Sequence, residues 1–234
     1  MKNDPTFKLL AAVILTGVAV ALFAPSSARA ADAGAKPKHT RTRTGTYQDS
    51  NGNSGTVAST TTRGDGEQTN NSTVTSQNGQ TATHAADRTW NRASGTGTVS
   101  TSNTGFNGRT SSRQGTLTKN ADGSVSGQGT ITGSNGKTAT YADTTVKTDA
   151  GRSTTGTVTG PNSQTGTFSD SVSKTAPGQV TRTETYTGAS GKTSEREIAT
   201  KVNPDGSGTR VVQVTKPDGT TETRTETFQP TPTP

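Results

Sequence analysis

Two histidines, His39 and His84, are the only imidazoles in this 234-residue chain, and it contains no cysteine. Neither histidine sits at a metal-ligand spacing, and the acidic side chains are scattered singly among threonines and glycines. No nucleophile stands near a base, and there is no phosphate-cradling loop. Catalysis needs converging titratable groups held by a supporting shell. The residues therefore predict a non-enzyme, with no catalytic residue, cofactor or metal site. Asn120-Ala121-Asp122-Gly123 and Asn203-Pro204-Asp205-Gly206 have oxygens that a calcium loop could use. The same residues read more simply as hairpin turns. Arg63-Gly64-Asp65 spells a tripeptide read by some animal adhesion receptors, which chance readily produces in a glycine-rich chain.

Two groups of residues have spacing that could support binding. Lys36, Lys38, Arg41 and Arg43 concentrate positive charge in a short leader and form a candidate contact for anionic surface polymers. Without interleaved aromatic rings for base stacking, specific nucleic-acid recognition is not expected. The second group is a threonine array: Thr73, Thr75, Thr98, Thr130, Thr132, Thr157, Thr159, Thr185 and Thr187. Most of these flank the apolar positions Val74, Val99, Ile131, Val158 and Tyr186. Alternate residues on a strand repeat at about 6.6 to 7 Å and strands at about 4.8 Å, so such positions form a lattice of hydroxyls. The Thr-x-Thr arrays resemble the flat threonine surfaces of β-rich ice-binding proteins, and the resemblance implies a surface that binds ice. The stretch Asn135-Gly136-Lys137-Thr138-Ala139-Thr140-Tyr141-Ala142-Asp143 is similar to hairpin-repeat families of the YD type, although the Tyr-Asp pair is not kept from copy to copy.

The elements that would carry these arrays are announced by turns. Thirteen turn-like spots, nearly all with a glycine, recur along residues 50 to 220, and Gly66, Gly95, Gly123, Gly151, Gly178 and Gly206 recur every 27 to 29 residues. A fixed period of this size marks a repeat architecture. The turns fall into two alternating sets, as expected for an up-and-down meander with two rims. Asn51-Gly52, Asn78-Gly79, Asn135-Gly136 and Asp218-Gly219 belong to one, and Asp65-Gly66, Asp122-Gly123 and Asp205-Gly206 to the other. Asn-Gly and Asp-Gly predict type I′ hairpins, with positive φ at both central residues. The rhythm slips near Asn103–Gly108 and at Pro161-Asn162-Ser163, where bulges or longer loops are expected. Between turns, one strand face carries threonine and the other mixes apolar and charged groups. Register decides how cleanly they separate. A two-residue loop at Asn135-Gly136 sets Thr132 opposite Ala139, whereas a three-residue loop sets Thr132 opposite Thr138 and Ile131 opposite Ala139.

The fold class predicted is all-β: an elongated antiparallel meander of about six tandem 28-residue hairpin repeats, about a dozen strands, with a thin core and a sheet that could be a single layer. Residues 1–30 read as a signal peptide, with an apolar run from Leu9 to Ala24 and cleavage after Ala30. Then follow a basic leader (31–39), the Thr/Gly-rich repeat region (40–228) and a Pro/Thr tail (229–234). After the leader is removed 50 threonines remain, and they favour strands over helices. No cysteine is available to compensate a small core with disulfides, although export would permit them. No transmembrane segment is expected after signal cleavage. A lipid-facing barrel is not expected either, because such a wall needs a continuous apolar band with aromatic girdles, and aromatics make up 4% of the chain. These features predict a secreted, periplasmic or cell-surface protein with a structural or adhesive role. Exposed strand edges would invite self-association. The alternatives are a module presenting threonine arrays to ice or glycans, and a disordered basic polymer.

Overall fold

A computed structural model describes residues 38–230; the predicted signal peptide, Lys36 and the end of the Pro/Thr tail lie outside the described residues. The described chain forms fourteen strands: β1 (His39–Asp49), β2 (Ser54–Gly64), β3 (Glu67–Ser76), β4 (Thr81–Asn91), β5 (Thr96–Thr104), β6 (Thr110–Lys119), β7 (Val125–Thr132), β8 (Thr138–Lys147), β9 (Gly151–Thr159), β10 (Thr165–Ala176), β11 (Gln179–Thr187), β12 (Thr193–Val202), β13 (Gly208–Thr215) and β14 (Thr221–Pro230). Each strand pairs antiparallel with the next, and β1 also pairs with β14 from Arg43↔Pro230 to Asp49↔Arg224. The sheet is thus a closed up-and-down barrel of fourteen strands. The hairpin meander is as expected, and closure corrects the expectation of a sheet that could be a single layer. Closure depends on a ladder between the two ends of the chain, which no local periodicity encodes.

The turns also differ from expectation. At Asn135-Gly136 the Gly133 N–H donates to the Lys137 carbonyl (2.8 Å), the Gly136 N–H donates to Gly133 (2.9 Å), and only Gly136 has positive φ, at 75°. This is a three-residue loop ending in a left-handed residue. It sets Ile131 opposite Ala139 and Thr132 opposite Thr138, the register that separates the faces. Asp65-Gly66 does form a two-residue turn with both φ values positive, at 51° and 74°. Neither expected slip distorts the ladder. The Gly105–Arg109 loop repeats the three-residue geometry, and so does Gly160–Gln164, where Ser163 takes the left-handed position with φ 58°. The loop needs the conformation more than it needs glycine, and serine adopts it at some cost. The register irregularity lies instead between Lys174 and Ala176, opposite β11.

Alternation then sorts the side chains. In β12, Ser194, Arg196, Ile198 and Thr200 are buried while Thr193, Glu195, Glu197, Ala199 and Lys201 are exposed. Aromatic rings line the inward face beside glycines on neighbouring strands. Tyr47 is opposite Gly55, Trp90 opposite Gly97, Phe168 opposite Gly156, and Phe228 lies between Gly45 and Gly208. Tyr141 faces Gly129, itself paired with Gly115, so the ring extends across two bare backbones. A Cβ on Gly115 would collide with the Tyr141 hydroxyl, and one on Gly156 would lie 2.6 Å from Phe168. Glycine accommodates the ring, and the ring covers backbone that glycine leaves exposed. Each fully buried ring stabilises by about 1.5 to 3 kcal/mol through removal from water. Ile131, Ala139, Tyr141, Val158 and Tyr186 make a continuous apolar cluster, with Phe168 packed against it. Val158 and Val74 are 0% and 1% exposed, so side chains fill the barrel at their level.

Two substitutions test these devices. Gly115→Ala is expected to destabilise by about 2 to 4 kcal/mol, because Tyr141 and the Gln128 carbonyl occupy the space of the new methyl. Denaturant midpoints check this, and an unchanged midpoint would discount the packing of Tyr141 over Gly115. Ser163→Gly is expected to stabilise by about 0.5 to 1 kcal/mol, since relief of the left-handed strain exceeds the added flexibility of the unfolded chain.

Candidate functional site

The barrel wall has two chemically opposed surfaces. Inside, alternate positions of β9 to β12 place arginines and carboxylates next to one another. The Arg152 guanidinium donates to Asp170 (3.4 Å), Asp170 accepts from Arg182 (2.7 Å), Arg182 pairs with Glu184 (2.7 Å), and Glu184 pairs with Arg196 (3.2 Å). A second network joins Arg210 to Glu226 (3.2 Å) and Arg224 to the same carboxylate. Arg113 donates to Asp143 (2.7 Å) and stacks over the Tyr141 ring at 3.9 Å. Burial opposes the charge on Arg182, but Glu184 and Asp170 together hold its guanidinium above the usual arginine range. Arg196 moves the other way, lowered by burial against the partial support of Glu184.

Such networks specify an arrangement more than they add stability, because desolvating each ion offsets much of the attraction. Removing a single partner is costly, at about 3 to 5 kcal/mol, since it strands a buried charge. Arginines outnumber carboxylates in these networks, and some of their donors have no partner among the described residues. These include Arg196 Nε, Arg182 Nη1, Arg152 Nε and Arg113 Nε. The Tyr186 hydroxyl is also unpaired, and burial pushes its pKa up to about 12. His84 is 4% exposed and pairs through Nδ1 with the Asn103 side-chain oxygen (2.7 Å). Burial pushes its pKa down, and nearby Arg196 and Arg182 push in the same direction.

Outside, the wall is threonine. All nine array positions, Thr73, Thr75, Thr98, Thr130, Thr132, Thr157, Thr159, Thr185 and Thr187, lie on the face opposite the buried one. Cross-strand pairing joins them into ranks. Thr209, Thr227, Thr46, Thr56, Thr75 and Thr81 run consecutively across β13, β14, β1, β2, β3 and β4, spanning the closing seam. A second rank joins Thr157, Thr167, Thr187 and Thr193 across β9 to β12. Hydroxyls meet along these ranks, as between Thr46 and Thr227 (3.0 Å) and between Thr187 and Thr193 (3.0 Å), and beside them between Thr159 and Thr165 (3.2 Å).

The basic leader residues separate. Lys38 pairs with Glu67 at 2.8 Å, both exposed, whereas Arg41 and Arg43 share the inward phase of Tyr47. The residues that sequence reasoning considered for calcium are engaged in turns. Asp122 accepts from the Ser124 amide (2.9 Å) and hydroxyl (2.6 Å), and Asp205 does the same with Ser207. The interior ion network was missed because its members look isolated along the chain. A signal was nevertheless present: Tyr47/Asp49, Tyr141/Asp143, Phe168/Asp170, Glu184/Tyr186 and Glu226/Phe228 each set an acid two residues from an aromatic, on one strand face.

Comparison with protein-family models, curated proteins and solved structures yields no match.

His84 supplies a pH test. Its folded-state pKa lies below its ordinary value, so as pH falls through about 6.5 the unfolded chain takes up a proton that the folded barrel resists. The His84 contribution is therefore fully present above that pH and is lost as pH drops toward the folded pKa. Urea midpoints are expected to fall between pH 7.5 and pH 5.5, and His84→Gln is expected to flatten that interval. An equal slope in the variant would assign the dependence elsewhere.

Proposed function

We propose that this is an exported, non-enzymatic repeat protein with a structural or adhesive role at the cell surface, in the periplasm or in extracellular matrix. Its outer wall is the working surface. The observation that carries this reading is the six-strand threonine rank from Thr209 to Thr81. At about 4.8 Å per strand, it presents a row of hydroxyls on stiff β-branched side chains whose order costs little further entropy on contact. Hydroxyl rows suit hydrogen bonding to polysaccharide chains, which themselves repeat donors and acceptors along an extended axis. Much of the inward side is engaged in its own ion pairs and aromatic packing, which leaves the threonine wall for polymer contact. The apolar N-terminal run supports export. The outer wall offers no apolar band to lipid, which supports a role in an aqueous compartment.

A second reading, ordering of water or binding of ice, shares the same ranks. Curvature favours glycan over ice, because a closed barrel bends each rank around its wall while an ice plane is flat. Self-association remains part of the structural role, through wall-to-wall contact and not through strand edges, which β1 and β14 cover in each other.

Co-sedimentation with insoluble polysaccharides tests the proposal. Thr56→Val and Thr75→Val preserve shape and strand preference while deleting two adjacent hydroxyls of the rank. The double variant is expected to lose retention about tenfold with its circular dichroism unchanged. Retention that does not change, or no retention on any polymer together with a strictly monomeric sedimentation profile, would remove the adhesive reading. Ice-growth assays are expected to show no thermal hysteresis; measurable hysteresis lost in the same variant would favour the second reading.

A further inference from the structure

The rim that carries both chain ends gathers positive charge that the protein does not neutralise. Arg41 and Arg43 lie on the inward phase of β1, two residues apart. Among the described residues neither has a carboxylate partner. Arg41 Nη2 extends to the turn before β13, 3.4 Å from where a Cβ on Gly206 would sit. Arg43 lies over the Phe228 ring at 4.7 Å, and its Nε is buried without an acceptor. Arg210 stands near Arg43, and its one carboxylate, Glu226, is shared with Arg224. Burial, with repulsion from Arg41 and Arg210, pushes Arg43 down to about 10. Arg41 and Arg43 of β1 and Arg210 of β13 thus lie close enough to repel one another, and among the described residues only Arg210 of the three has a carboxylate, shared with Arg224. A concentration of like charge against low-dielectric packing attracts a counter-ion strongly. Planar guanidinium forks match the oxygens of tetrahedral oxyanions two at a time.

We propose that this mouth binds a multivalent oxyanion, a phosphate or sulfate group, between Arg41 and Arg43 with Arg210 alongside. Phe228 fixes the Arg43 fork from below, and the turn at Gly206 lies beside Arg41 Nη2 and the Pro230 ring. The oxyanion is either free in solution or a substituent on an anionic polymer; the chemistry at the site is the same. This site is separate from the threonine wall, and it stands or falls independently of polysaccharide retention.

Thermal unfolding of the full chain tests it in four solutions: sodium pyrophosphate, sodium chloride at matched ionic strength, dextran sulfate and neutral dextran. Pyrophosphate or dextran sulfate at ten times its Kd is expected to raise Tm by about 3 to 5 °C, with chloride and neutral dextran giving no such rise. A rise with both, or with pyrophosphate alone, identifies a site open to free anions; a rise with dextran sulfate alone identifies a group carried on a polymer. Arg43→Gln and the more exposed Arg41→Gln are each expected to weaken binding about tenfold. Neither is expected to lower Tm in the absence of anion, since each relieves repulsion, whereas a purely structural arginine would lower it. A rise no larger than that in chloride for both anions, or an increment that survives both substitutions, would overturn the proposal.

Discussion

The ladder between β1 and β14 is the constraint on which the other features depend. A fourteen-strand sheet left open would expose two edges of unpaired amides and carbonyls, and its charged face would lie in water. Pairing Arg43 through Asp49 with Pro230 through Arg224 removes both edges and turns one face into an interior. Only then are Arg196 and Glu226 buried, at 3% exposure each, and only then does their pairing matter energetically. Phe228 connects the two effects. It sits on β14 against Gly45 of β1 and Gly208 of β13, so the ring that covers the seam also packs the interior.

The interior combines two solutions to a shortage of apolar residues. Aromatic rings on glycines provide large buried surfaces from few side chains, and ion-pair networks fill positions where a conventional core would place leucine or isoleucine. Tyr141 shows both at once, lying over Gly129 and Gly115 while Arg113 stacks on its face and pairs with Asp143. Because charged networks are costly when incomplete, such an interior tolerates little rearrangement. It fixes register where bare threonine strands, alike on every hairpin, could slip by two residues.

Much of this was legible in the sequence. The glycine period gave the hairpins and the two rims, and the alternation in Thr181-Arg182-Thr183-Glu184-Thr185-Tyr186 gave the faces. The loop at Asn135-Gly136 was readable as one of two registers, and the structure shows the three-residue one. Turn type was misread because Asn-Gly suits both a type I′ turn and a type I turn followed by a left-handed glycine. Closure was not legible, since it rests on contacts such as Thr46 with Thr227, which no repeat period relates. The ion networks were hidden for a related reason. Asp170 and Arg182 are twelve residues apart in sequence but neighbours across one hairpin, so only a known register reveals them.

The closing seam differs in kind from the other ladders. Every neighbouring pair except β1–β14 is a hairpin, closed locally and at low entropic cost, so the seam is the one ladder whose loop spans the whole chain. The β1–β14 pairing covers what would otherwise be two unpaired strand edges. Within the closed form, Gly45 against Phe228 and Thr46 against Thr227 hold it shut. The repulsion of Arg41, Arg43 and Arg210 at the adjoining mouth works in the opposite direction.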